Sequence, residues 1–96
     1  MDSDAIRDNA ERSRFEVRVD GHLARADYVI DGDVITFTHT IVPPVLEGRG
    51  IASRLIRHAL TEARARGLRV VPQCPFVAAY IRKHPECADL LVEPLS

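Results

Sequence analysis

Residues 42–56 read "VPPVLEGRGIASRLI". Two prolines and a Gly-Arg-Gly run directly into a helical pattern, so the barest backbone in the chain stands where a helix begins. From there Ile51, Ala52, Leu55, Ile56, Ala59, Leu60 and Ala63 recur at helical spacing, with Arg54, Arg57, His58 and Thr61 on the other side. Gly67 stands where a helix C-cap glycine belongs. The first turn of a helix carries backbone N–H groups without internal partners and a partial positive charge. Glycine lets a ligand come close to that backbone. Two readings of Gly48 and Gly50 follow: a plain strand-to-helix turn, or a seat for an anion such as phosphate.

Upstream of this stretch the pattern is that of strands. "RFEVRVD" at 14–20 alternates, with Phe15, Val17 and Val19 on one face and Glu16, Arg18 and Asp20 on the other; Gly21 ends it. A second strand is expected over 23–30, with Ala24, Ala26, Tyr28 and Ile30 on one face. "DGD" at 31–33 is a tight-turn signal. The β-branched run "VITFTHTIV" at 34–42 is a third strand. Short turns make these three an antiparallel meander.

Downstream, "LRVV" at 68–71 is a short strand stopped by Pro72, and "CPFVAAYIRKH" at 74–84 is a second helix, with Pro75 suited to its first position and Pro85 ending it. "ADLLVE" at 88–93 is read as a last short strand. Residues 1–13 are polar and are read as a flexible, frayed tail, leaving 14–96 as one domain. A long strand, a helix and a further strand form a β-α-β unit with parallel strands. The fold class is therefore α+β: a meander, then β-α-β, then a second helix.

Composition narrows the function classes. A chain of 96 residues with 46% hydrophobic and 28% charged content is one small globular domain. A net charge of -1 exerts no general pull on nucleic acid or anionic membrane, and no apolar run reaches the length of a membrane span. Twelve of the 13 basic residues are arginine, so a local anion site would use guanidinium forks. The charged N-terminus is unlike a signal peptide, and reduced thiols at Cys74 and Cys87 fit a cytoplasmic protein. The histidines, at 22, 39, 58 and 84, form no metal-ligand spacing with the cysteines, and no metal is expected.

Two common phosphate motifs fail. A P-loop needs a Gly-Lys-Ser/Thr ending, and no lysine is present here. The dinucleotide fingerprint has Ser53 in place of its third glycine, and the following strand ends in Val71, Pro72 and Gln73 rather than an acid. The stretch instead resembles motif A of the GNAT-superfamily acetyl-CoA-dependent N-acetyltransferases, with Val42, Pro44, Gly48, Gly50 and Ala52 in register. Glu47 departs from that motif, which usually has Arg or Gln there. From Phe15 to Leu91 the chain is similar to the minimal YjdJ-type group of GNAT-like proteins, through "THTIVPP", "EGRGIASRL", "GLRVVPQCPFVAAYIRKHPE" and "ADLL". That group lacks the N-terminal substrate-binding helices of larger relatives.

The resemblance implies a cleft between splayed parallel strands that takes acetyl-CoA or CoA. The pantetheine arm would pair with the backbone at Ile41, Val42 and Pro43, and the pyrophosphate would sit on the amides of Gly48, Arg49, Gly50, Ile51 and Ala52. Arg49 and Arg54 would add charge, and Arg82 and Lys83 would reach the nucleotide end; a solvated helix face for Arg54 and a favourable place near a helix C-terminus for Arg82 and Lys83 explain them as well. Cys74, at a helix start, is the candidate for a covalent acyl-cysteine, against the reading of a small packed residue. Tyr80 stands near the general-acid tyrosine of many family members, and is equally a core tyrosine with a satisfied hydroxyl. His39 is the candidate general base; strand alternation groups it with Ile35, Phe37 and Ile41, which makes a partly buried structural histidine the competing reading. The acceptor amine, whether protein lysine, polyamine or small amine, is open, and a monomer or weak homodimer is expected. A CoA- or acyl-CoA-binding protein with little transferase activity is the alternative to an enzyme.

Overall fold

A computed structural model describes residues 5–95. Five strands form one sheet in sequence order: β1 Arg7–Asn9, β2 Arg14–Val19, β3 His22–Asp31, β4 Val34–Ile41 and β5 Arg69–Pro72. The first four pair antiparallel, and β4 and β5 pair parallel. Helix α1, Ile51–Ala65, makes the crossover between the parallel strands, and α2, Pro75–Lys83, follows β5. This is the α+β architecture expected from the pattern.

Both helices pack on one face. Phe15, Val17, Ala24, Ala26, Ile35, Phe37 and Val70 from the strands meet Leu55, Ile56, Ala59 and Leu60 of α1 and Val77 and Ile81 of α2 in a single core. Each fully buried Leu or Ile contributes about 1.5–3 kcal/mol by leaving water, so the α1 stripe is the main clamp on the sheet. The opposite face carries a polar grid. Glu16 accepts from Arg14 Nε at 2.8 Å, Asn9 Nδ2 at 3.1 Å and Arg7 Nε at 3.2 Å. Burial pushes the Glu16 carboxyl up, but those three donors outweigh it and hold it below its ordinary value.

Three expectations need correction. Residues 7–13 are not a tail: β1 pairs Arg7 with Glu16, Asp8 with Phe15 and Asn9 with Arg14, and a 3-10 turn, Ala10–Arg12, leads into β2. Residues 1–4 of that expected tail lie outside the described residues. "RDN" has no apolar alternation to announce a strand; it is held by the open edge of β2 and by Asp8. That carboxylate accepts from the Tyr28 hydroxyl and pairs with Arg66 at 3.0 Å. At the other end, the strand expected at 88–93 is instead the end of a 3-10 helix, Pro85–Leu90, followed by a single parallel bridge from Leu91 to Val70.

The third correction concerns β4. Asp27 stands opposite His39, but the next pair is Tyr28 with Phe37, so β4 has one extra residue at Thr38. A bulge of this kind bends a strand and shifts its alternation by one. Ile35 and Phe37 are buried before it; after it Thr40 is buried while His39 and Ile41 are exposed. His39 therefore does not share a face with Ile35 and Phe37.

Candidate active site

The parallel ladder runs from Val34 opposite Arg69 to Phe37 opposite Pro72, and there it stops. Pro72 has no N–H to continue it. The last tie is the amide of Cys74, which donates to the Phe37 carbonyl at 2.9 Å. Beyond this point β4 continues through Ile41, while the chain from Cys74 turns into α2. Here β4 and the chain leading into α2 part in a V, with the bulge at Thr38 beside its apex.

The glycine stretch follows the far end of β4. A 3-10 turn, Pro44–Leu46, follows β4, and the side chain of Leu46, 1% exposed, anchors it in the core. Gly48 has φ 82° and Gly50 φ 72°, the left-handed region that side-chain-bearing residues avoid. An added Cβ at either glycine would meet nothing within 4 Å, so backbone conformation and not crowding calls for glycine. Gly50 is the N-cap of α1. No side chain caps this end, and no acidic residue occupies its first turn. The amides of the first turn are thus left for something other than a side-chain cap. Gly48, Arg49 and Gly50 are exposed, Ala52 is partly so and Ile51 is buried, its amide still part of the turn. Arg49 Nη1 is held by Asp20 Oδ2 at 2.8 Å.

Two grooves run between α1 and α2. One, of about 280 Å³, is lined by Ser53, Arg54, Arg57, Tyr80 and His84; the other, of about 240 Å³, shares Arg57 and Tyr80 and continues to Cys87. Tyr80 stacks on His84 with ring centroids 3.9 Å apart, and His84 Nδ1 lies 2.8 Å from the Tyr80 carbonyl oxygen. Burial pushes the Tyr80 hydroxyl above its ordinary value, and burial does the same to the Cys87 thiol.

The residues singled out in the sequence therefore separate. Cys74 is buried at the V, its Sγ 3.2 Å from Thr40 Oγ1. Tyr80 lies six residues on, about 9 Å along the axis of α2, and faces the α1 groove. His39 is exposed on the polar face, away from Cys74. Ile41 is exposed, and Val42 and Pro43 are half-buried on the way to the glycine loop. Arg54 lines the groove beside the cradle, but Arg82 lines a separate cavity with Arg69, Leu91 and Val92, and Lys83 is exposed at the end of α2. Four residues were missed. Arg57 and His84 follow Arg54 and Tyr80 at helical spacing and were legible in principle. Thr40 depends on the bulge and Asp20 on a contact across the fold, which no local pattern announces.

Residues 14–90 match the family of GCN5-related N-acetyl-transferases. The chain belongs to that family. Among curated relatives, protein NATD1 of Mus musculus is 30% identical over 84 residues, spanning 83% of this chain and 76% of its own. The Xenopus tropicalis NATD1 protein is 32% identical over 84 residues, with the same coverage of 83% and 76%. In structure, the chain is similar to a GCN5-like protein from Staphylococcus aureus solved by NMR, with a TM-score of 0.76 and 24% identity over 100% of this chain and 94% of that one. The family and the fold are those of N-acetyltransferases.

Proposed function

We propose that the chain binds acetyl-CoA and transfers its acetyl group to an amine. The observation that carries this reading is an uncapped, acid-free helix N-terminus that follows β4, the strand whose parallel pairing stops at Phe37 and Pro72. The donor set fits a CoA thioester. The amides from Gly48 to Ala52 suit a pyrophosphate, and Arg49 and Arg54 add guanidinium charge. The stretch of β4 beyond Phe37, with Val42 and Pro43 after it, offers peptide groups to the amides of an extended pantetheine arm. Acetyl-CoA supplies the activated acyl group as a thioester.

Cys74 is the chain's own nucleophile in the covalent version. Its thiol gives up a proton and forms an S–C bond to the acyl carbon, CoA leaves as the protonated thiol, and an amine then takes the acyl group and returns the thiol. Tyr80 and His39 remain the candidates for acid and base in direct attack; the exposed His39 belongs to the side from which an acceptor would approach the polar face.

A second reading, a CoA- or acyl-CoA-binding protein with little turnover, is favoured by that polar face, on which neither α1 nor α2 packs to hold an acceptor. Calorimetry should give micromolar-range affinity for CoA and acetyl-CoA, on the order of 10⁻⁶ M. No measurable binding would remove both readings. Mass spectrometry after incubation separates them: a gain of about 42 Da, lost in Cys74→Ala, marks covalent transfer. Acetylation of an amine in a broad screen without that adduct marks direct transfer, and neither product marks the binding role.

A further inference from the structure

The bulge at Thr38 has a chemical result as well as a geometric one. Without the extra residue, the alternation that buries Ile35 and Phe37 would bring His39 to the core side and turn Thr40 out. With it, the Thr40 hydroxyl is carried into the core, the residue 8% exposed. Its Oγ1 lies 3.2 Å from Cys74 Sγ, where either atom can donate. The bulge is itself tied down: Thr38 Oγ1 donates to the Asp27 carbonyl at 3.4 Å. The Cys74 backbone is fixed as well, its N–H donating a hydrogen bond to the Phe37 carbonyl. Strand β4 and the start of α2 are thus joined by one hydroxyl–sulfur contact at the closed end of the V.

A buried hydroxyl must find a partner, and a strand interior would be filled more simply by valine. Sulfur is a weak hydrogen-bond partner, so the contact adds little to stability. Its specific effect is to choose the rotamer of the buried Cys74, fixing where Sγ sits at the end of the parallel ladder. We propose that Thr40 is the positioning residue of the acyl-transfer centre, its hydroxyl holding the Cys74 thiol at the closed end of the V. This rests on the reading of the V as an acyl site, but the thiol can be probed without acetyl-CoA.

The test uses the full chain with Cys87→Ser, so that one thiol remains, and compares Thr40 with Thr40→Ser, Thr40→Val and Thr40→Ala. The readouts are the infrared S–H stretching band of Cys74 and its rate of reaction with a small aromatic disulfide. Thermal midpoints are measured beside them. The expected result sorts by hydroxyl: Ser matches Thr in band position and rate, while Val and Ala share a shifted band and differ in rate by about tenfold. Stability should sort by size instead, with Val near Thr and Ala lowest. A band that does not move, or a rate that follows the stability order, overturns the positioning role. If Val does not fold, the Ser and Ala pair gives the same discrimination. Calorimetry of the unmodified chain with acetyl-CoA is a separate arm: absence of binding there removes the acyl-site reading, whatever the thiol shows.

Discussion

Arg49 Nη1 lies 2.8 Å from Asp20 Oδ2, so the glycine loop before α1 is tied to the turn between β2 and β3. Both side chains are largely exposed, which limits the pair to about 0–1 kcal/mol of stability. Its larger consequence concerns binding. A phosphate on the loop amides must share Arg49 with that carboxylate or draw it away. Asp20→Asn removes the charge, and asparagine tolerates the positive φ of 50° at this turn. The variant should bind CoA several-fold more tightly, with stability within about 1 kcal/mol of the parent, whereas Arg49→Ala should bind more weakly. Titration calorimetry at two salt concentrations checks this. Unchanged affinity in both variants would take Arg49 out of the anion site.

Gly50 gives a test of the cradle itself. Alanine there meets no steric obstacle but must adopt φ near 72° or reshape the turn. Left-handed backbone costs a side-chain-bearing residue about 1–2 kcal/mol. Gly50→Ala should therefore lower unfolding free energy by about that much, read from urea midpoints at constant slope. Any reshaping moves the first-turn amides, so affinity for CoA should fall further than the stability loss alone explains. Full affinity in the folded variant would mean that the amides are not the anion's seat.

Tyr28 links the N-terminal strand to pH. Burial, and then the hydrogen bond to Asp8 and its charge, push the Tyr28 hydroxyl up to about 12 from its ordinary value of 10.0. The folded chain thus keeps a proton that the unfolded chain has begun to lose. The stability this contributes is fully present below about pH 10 and is lost as the pH rises towards about 12. Tyr28→Phe should cost about 1–2 kcal/mol at neutral pH through the lost bond to Asp8. It should also flatten the fall in stability across that alkaline window. Urea midpoints of both chains at neutral pH and at two alkaline points give the comparison, and parallel declines would show that the Asp8 contact is not formed in solution.

Strong local patterns carried most of the architecture. The alternation of Phe15, Val17 and Val19, the tight turn at Asp31–Asp33, the helical stripe from Ile51 to Ala63, and the prolines at 75 and 85 all reappear in β2, the β3–β4 turn, α1 and α2. Each follows from backbone preference and one-sided burial, which act over a few residues. The glycine loop was legible for the same reason: a left-handed backbone at Gly48 and Gly50 is a local demand.

What required the tertiary structure was the decision about facing and pairing. "RDN" at 7–9 becomes a strand because β2 has an open edge and Asp8 finds Tyr28, a partner 20 residues away. The extra residue at Thr38 is absorbed only when β4 is set against β3, and that single step turns His39 out and brings Thr40 in. The V likewise depends on two strands of unequal length, one of which ends at a proline. By itself the sequence determined the elements, their order and the turn that receives the helix. Only the packed sheet decided which side chains face the opening, because alternation inside a strand is exact until one residue is inserted, and the partner strand determines where that happens.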